Sequence, residues 1–155
     1  SIRRQRQMCI RDSYSSGNKA VIGEIKENKL KIGMTICYDL RFPNLYQDLA
    51  KNGAEIITVR SAFSNITGPD HWHTLLKARA IETGSFIIAP AQSGKHQCGR
   101  TSFGHSLIIS PWGKILSDAK KKEGVIYTRI NLEEVTTARQ AIPNIFSKKK
   151  YSTNI

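Results

Sequence analysis

The sequence predicts an α/β fold, a sheet layered with helices, and three observations carry that prediction. Residues 29–36 alternate apolar and polar side chains with the period of a strand, and a proline-opened helical pattern follows at once. AEIITV (54–59) and SFIIAPA (85–91) are near-continuous apolar runs, as expected of strands buried on both faces, with a helical pattern between them. Beyond residue 104, short strand patterns separated by tight-turn residues replace the alternation of strand and helix.

Element by element, Leu30, Ile32, Met34 and Ile36 alternate with Lys31, Gly33 and Thr35, and Cys37 stands at the carboxyl end of that strand. After YDLRF, Pro43 opens a helix with Leu45, Tyr46 and Leu49 on one side and Gly53 as its stop. The run 54–59 is the second strand, and SAFSNITGPD (61–70) is a loop. HWHTLLKARAIETG (71–84) is a helix with Trp72, Leu75, Leu76, Ala80 and Ile81 inward and Gly84 at its end. The third strand completes a second βαβ crossover. SGKHQCGRTSFG (93–104) is read as a loop leading to HSLIIS. The turn PWG, with Trp112 and Gly113 as turn residues, then KILSD, the basic turn AKKKEG and the strand VIYTRI (125–130) make an antiparallel meander. NLEEVTTARQAI is the last helix, with Asn131 as N-cap and Pro143 closing it.

The totals narrow the function classes. At 155 residues and 39% hydrophobic, the chain can bury one sizeable core. It has no run of some 18 apolar residues, and its basic start has no apolar stretch behind it, so neither a membrane span nor a signal peptide is expected and the expected setting is cytoplasmic. Cys9, Cys37 and Cys98 lie far apart with no CxxC pair, which fits free thiols better than disulfides or a zinc ribbon. The net charge of +12 is spread over a cluster of arginines (Arg3, Arg4, Arg6, Arg11), Lys120 to Lys122 and Lys148 to Lys150. Three separate runs do not make one patch, and no docking motif accompanies them, so no nucleic-acid partner is expected. Residues 1–13, SIRRQRQMCIRDS, carry no apolar period, and RQMCIRDS resembles translated sequencing-adapter DNA; they read as a non-native segment, with 14–155 the C-terminal portion of one domain.

Cys37 has an unusual address. Reactive groups in α/β sheets gather beyond the carboxyl ends of strands, where a strand-to-helix turn can aim a thiol and backbone N–H groups can hold an oxyanion. A small buried core cysteine is the alternative, and periodicity alone does not choose between them.

The text around the thiol adds to this. ICYDLRFPNLY, SAFSNITGPDHWHTLLKARAIE, the AQSGKH loop and GHSLIISPWGKIL, in one order over residues 33–142, resemble the nitrilase superfamily of carbon–nitrogen hydrolases, and most of all its small-substrate amidase branch. The resemblance implies an αββα sandwich, here with its N-terminal part missing, that pairs into dimers, takes a small amide substrate and uses no metal or cofactor. It implies Cys37 as nucleophile and the Tyr38 N–H as the backbone half of the oxyanion hole. It also implies a proton-relaying glutamate and a lysine, both well N-terminal of the thiol. A thiol in water is only a few per cent ionised at neutral pH and an amide nitrogen must be protonated to leave, which gives that glutamate its task. Glu24 and Glu27 belong to an exposed strand and turn and do not fit it. A further family glutamate falls at Asp12, inside the suspect segment and one methylene short. Arg60 stands where relatives have proline, which bears on the shape of loop 61–65.

Several neighbours carry two readings. Asp39 and Arg41 hold the elbow by charged hydrogen bonds, or are a solvated pair. Phe63 and Asn65 approach the substrate, or pack and cap their loop. His71 and His73 suggest a metal, but no third ligand keeps a diagnostic spacing, so none is expected. His105 is the base of a rival Cys-His mechanism, or is hydrogen-bonded at the start of a core strand.

Overall fold

The computed structural model of the protein describes residues 17–147 and residue 152. Strand β1 (Val21–Ile25) forms an antiparallel hairpin with β2 (Leu30–Ile36). A 3-10 turn (Cys37–Arg41) leads into helix α1 (Pro43–Lys51), whose first residue, a proline, has no N–H to leave unpaired. Strand β3 (Ile56–Arg60), helix α2 (Gly68–Thr83) and strand β4 (Phe86–Ala89) follow, and β2, β3 and β4 run parallel. A separate hairpin pairs β5 (Ser93–Lys95) with β6 (Thr101–Phe103). Strands β7 (Leu107–Ile109) and β8 (Ile115–Asp118) then add antiparallel to β4, so the main sheet has the order β1-β2-β3-β4-β7-β8. Helix α3 (Glu133–Ala141) comes last, before a 3-10 turn at Asn144–Phe146.

Strand periodicity decides which residues meet the helices. Ile57, Val59, Ile87, Ala89, Leu107 and Ile109 face α1 and α2 and pack on Tyr46, Leu49, Trp72, Leu76 and Ala80. Each such fully buried side chain contributes about 1.5–3 kcal/mol over leaving it in water. Two glycines permit close approach. A Cβ at Gly33 would stand 3.1 Å from Leu49, and one at Gly68 would run into the ring of Phe103.

The alternate residues point to the opposite face. Leu30, Ile56 and Phe86 are covered there by Val135 of α3, with Leu132 and Ile130 beside it. Farther along the same face Val21, Met34 and Ile36 remain about half exposed. The fold is thus α/β, with one sheet and its helix layer of the αββα arrangement present in the described residues. The partly bare apolar face is the one that a two-sheet sandwich turns inward.

Most expected elements stand where the pattern put them, with four differences. Helix α2 starts at Gly68, three residues before His71, because Pro69 fits its first turn. On that helix Ile81, expected inward, is half exposed, whereas Arg79 is buried. The stretch read as loop 93–104 contains the β5–β6 hairpin. Residues 125–130 form no strand: Val125 and Tyr127 are 86% and 88% exposed, and their apolar alternation finds no ladder partner among the described residues. Asn131, expected as N-cap of α3, stands one residue before the N-cap position at Leu132, and its Oδ1 accepts the Glu133 N–H at 3.1 Å. The expectations for Cys9, Asp12 and the rest of 1–13 lie outside the described residues.

Candidate active site

The parallel register of β2 and β3 sets Ile36 opposite Arg60, and one residue farther Cys37 lies beside Ser61. Cys37 has φ +50°, a left-handed conformation that costs a non-glycine residue about 1–2 kcal/mol. The thiol is half-buried. Ser61, itself buried, donates from Oγ to the Cys37 sulfur at 3.4 Å. Ser61 is fixed in turn: its N–H donates to the Pro90 carbonyl at 3.0 Å and its carbonyl accepts the Gln92 N–H at 2.9 Å. The carboxyl ends of all three parallel strands therefore meet around the thiol, where an α/β sheet offers its site.

The strained turn is held from both sides. Asp39 Oδ2 accepts the Ile36 N–H at 2.9 Å, and the Asp39 carbonyl accepts the Phe42 N–H at 2.9 Å. From α2, the buried Arg79 donates to the Leu40 carbonyl through Nε at 3.1 Å and Nη2 at 2.9 Å. Its Nη1 pairs with Glu82 at 2.8 Å, and its guanidinium lies 5.4 Å from the centre of the Tyr46 ring. Tyr46 is wholly buried. Burial pushes its phenol well above the usual tyrosine range, against the opposing effects of a Thr35 hydrogen bond and the Arg79 charge.

Of the expected pair, Asp39 braces the elbow, whereas Arg41 pairs with His71. Its Nη1 and Nη2 donate to His71 Nδ1 at 3.4 and 3.3 Å, and its guanidinium stands over the rings of Phe63 and Tyr38 at 5.4 and 5.9 Å. Tyr38 follows the thiol with its ring exposed and edge-on to Phe42. Phe63 is a core residue, packed 4.9 Å from Trp72. Asn65 is exposed and tied through its N–H to the Thr101 carbonyl at 3.1 Å. Despite Arg60, the 61–65 loop is anchored at both ends, by bridges of Ser61 to Ala91 and Ser64 to Ser102. Glu24 and Glu27 are exposed.

The histidines divide. His71 joins Arg41, while His73 points to Asp118. His105 Nδ1 also meets Asp118, at 3.1 Å, so it is turned to a carboxylate and not to the thiol. Burial pushes the Asp118 carboxyl up, but the Lys120 N–H, the Lys120 ammonium and His105 outweigh it and hold it at about 2. A concavity of about 290 Å³ beside α3, lined by Pro111, Trp112, Glu134 and Ala138, contains neither thiol nor histidine. Sequence reasoning missed Ser61, Arg79 and Asp118 as bracing or clustering residues.

Comparison with known proteins bears on the site directly. The sequence model of the carbon-nitrogen hydrolase family matches residues 2–140. The chain belongs to that family. Deaminated glutathione amidase of Mus musculus is 47% identical over 131 residues, 84% of this chain and 41% of the relative. The Synechocystis protein of the same name is 47% identical over 114 residues, 74% of this chain and 42% of the relative. Among solved structures, a Saccharomyces cerevisiae member of branch 10 of the nitrilase superfamily superposes with a TM-score of 0.79 at 34% identity, covering 86% of this chain and 48% of that one. The C. elegans NitFhit protein gives 0.80 at 35% identity, covering 91% and 34%. The chain spans about two fifths of the length of the curated relatives it matches.

Proposed function

We propose that this chain carries the nucleophile of an amidase-type carbon–nitrogen hydrolase. The observation that supports the reading best is the left-handed Cys37 at the end of β2, with the Ser61 hydroxyl on its sulfur. The thiolate attacks the amide carbon, the Tyr38 N–H takes part of the charge on the oxygen, and the carbon–nitrogen bond breaks as the nitrogen receives a proton and leaves as ammonia. Water then hydrolyses the thioester, returning the thiol and an acid. Nitrile or carbamoyl chemistry on the same nucleophile is the neighbouring possibility within the family.

Arg41 bears on the substrate. Its guanidinium is half-buried against two aromatic rings and meets a histidine rather than a carboxylate, an arrangement suited to the acid group of a small carboxylate-bearing amide. The relatives named deaminated glutathione amidase support that substrate class. No helix of the described residues is long and apolar enough to cross a membrane. A cytoplasmic setting is part of the same proposal. Pairing into dimers, acceptance of an amide and the absence of a catalytic cofactor belong to the same reading.

The family resemblance puts the proton-relaying glutamate and the lysine well N-terminal of the thiol, and Glu24 and Glu27 are exposed, so the 155-residue chain alone is expected to be inactive. The test is ammonia release from small ω-amides by this chain alone and by the chain joined to an upstream segment that supplies both residues. The joined protein should turn over, lose activity with Cys37→Ala and keep most of it with Cys98→Ala. Equal turnover by the Cys37→Ala protein ends the assignment.

A further inference from the structure

We propose that His73, His105 and Asp118 form a binding site for a divalent transition metal, Zn²⁺ by preference, that clamps the edge strand β8 to helix α2. The three residues lie far apart in sequence, on the second turn of α2, just before β7 and at the last position of β8. The fold nonetheless brings one ligand atom from each within 4.8 Å of the others. Asp118 Oδ2 stands 3.5 Å from His73 Nε2 and 3.2 Å from His105 Nδ1, so one carboxylate oxygen faces both rings. A tetrahedral zinc with ligand bonds of about 2.0–2.1 Å sets its ligand atoms about 3.3 Å apart. The two separations to Asp118 Oδ2 are close to that value, and the two imidazole nitrogens, within 4.8 Å of each other, must draw together for the third.

The donor set selects the metal. Two imidazole nitrogens and one carboxylate oxygen suit zinc and its transition-metal neighbours, whereas magnesium and calcium take oxygen. Zinc would leave a fourth position to water. The main chain around the ligands is fixed: the His105 main-chain N–H donates to the Lys120 carbonyl, the His105 carbonyl accepts the Trp72 Nε1–H at 2.8 Å, and the Lys120 N–H donates to Asp118 Oδ1 at 2.7 Å. The Phe103 ring stacks on His105 at 4.5 Å and meets His73 edge-on at 6.0 Å, shielding one side. One competitor is present. The Lys120 ammonium sits 3.1 Å from Asp118 Oδ2, but its side chain is 70% exposed and can swing into water at little cost.

The mechanical value of the clamp follows from the sheet. Strand β8 is one of the two edge strands of the sheet among the described residues, and it pairs with β7 over few residues, with a register shift between Ile108 and Ile109. A metal joining Asp118 to His73 would fasten that edge to a helix that also braces the thiol turn through Arg79.

The experiment is calorimetric titration of the chain with Zn²⁺, together with the absorption spectrum of the Co²⁺ form. One metal per chain is expected. The Co²⁺ spectrum should show ligand-field bands without the sulfur charge transfer that Cys37 or Cys98 would give. His73→Gln and Asp118→Asn should each weaken binding by about tenfold or more. His71→Gln, two residues earlier on the same helix, should leave it unchanged, and Lys120→Ala should tighten it. Failure of the folded wild-type chain to bind, a sulfur charge-transfer band, or equal affinity in His73→Gln overturns the site and leaves a hydrogen-bonded His-Asp-His cluster. Should Asp118→Asn not fold, Lys120→Ala decides, because its side chain is exposed and a site on Asp118 must respond to losing that ammonium.

Discussion

Arg79 of helix α2 donates two hydrogen bonds to one atom, the carbonyl oxygen of Leu40, three residues past the thiol. Leu40 is wholly buried, so that carbonyl has no water to turn to, and the guanidinium is buried with it. The bond pair is what allows a left-handed cysteine to persist at the end of β2: the turn is bent by its own backbone and held in the bend from another helix.

Replacing Arg79 with Met should therefore cost stability and loosen the thiol at once. The lost bonds leave a buried acceptor unsatisfied and Glu82 without its partner, a combination worth about 2–4 kcal/mol. Urea unfolding reads the first effect. The second is read by iodoacetamide labelling followed by peptide mass analysis, in which Cys37 should change rate while Cys98, exposed on its hairpin turn, should not. Arg79→Lys keeps the charge but not the two-pronged geometry, and should rescue stability more fully than it rescues the Cys37 rate. A Cys37 rate that is the same in all three proteins would mean that Arg79 serves packing alone.

Ser61→Ala isolates the contact at the sulfur. The hydroxyl donates to the Cys37 sulfur and holds it in place at the end of the turn, a bond worth about 1 kcal/mol. With the sulfur no longer held, Cys37 alkylation should slow by about fivefold, the rate equivalent of that bond. Stability should hardly move, because the main-chain bonds of Ser61 to Pro90 and Gln92 stay. Unchanged alkylation would show the 3.4 Å contact to be incidental.

The limits of the sequence show most clearly at these two residues. Strand β2, its turn and α1 were readable from an alternating period, a proline and a glycine, all local signals. Arg79 was not, since a charged residue at helical spacing reads as solvent-facing, and its reason for burial is a carbonyl 39 residues earlier. Ser61 became a neighbour of Cys37 through the stagger of two parallel strands, which no local pattern encodes. Asp118 reads as the polar end of a strand, and only the sheet order brings it to His73 and His105. Residues 125–130 show the converse: the period of a strand was present, but a partner for its backbone was not. Arg41 read either as a brace of the elbow or as half of a solvated pair with Asp39, its neighbour in sequence, whereas the partner it has, His71, is near only in space.

Gly68 offers a test of packing between α2 and the β5–β6 hairpin. An added Cβ would meet the Phe103 ring, so Gly68→Ala should destabilise the chain by about 1–3 kcal/mol through overpacking. In a Phe103→Ala background the same change should cost far less, giving a coupling energy that a double-mutant cycle reads directly from denaturation midpoints. Additive costs would place the strain elsewhere.

Tyr46 sets an alkaline limit on stability. Its hydroxyl is within 2.8 Å of Thr35 Oγ1, which donates onward to the Thr58 carbonyl at 2.9 Å, and burial raises its ionisation well above the ordinary value. The unfolded chain releases that proton near pH 10, while the folded chain keeps it. Above that pH the unfolded state binds fewer protons than the native state, so stability falls as pH rises, by about 1.4 kcal/mol per unit for one group. Below pH 10 the contribution is fully present. Tyr46→Phe removes the titration and also the hydrogen bond to Thr35, at a cost of about 1 kcal/mol near pH 8. The wild type should thus be the more stable protein at pH 8, lose its lead between pH 10 and 11, and be the less stable one beyond, as read by urea midpoints of both proteins at matched pH. Parallel curves for the two proteins across that range would show that Tyr46 ionises as freely in the folded chain as in the unfolded one.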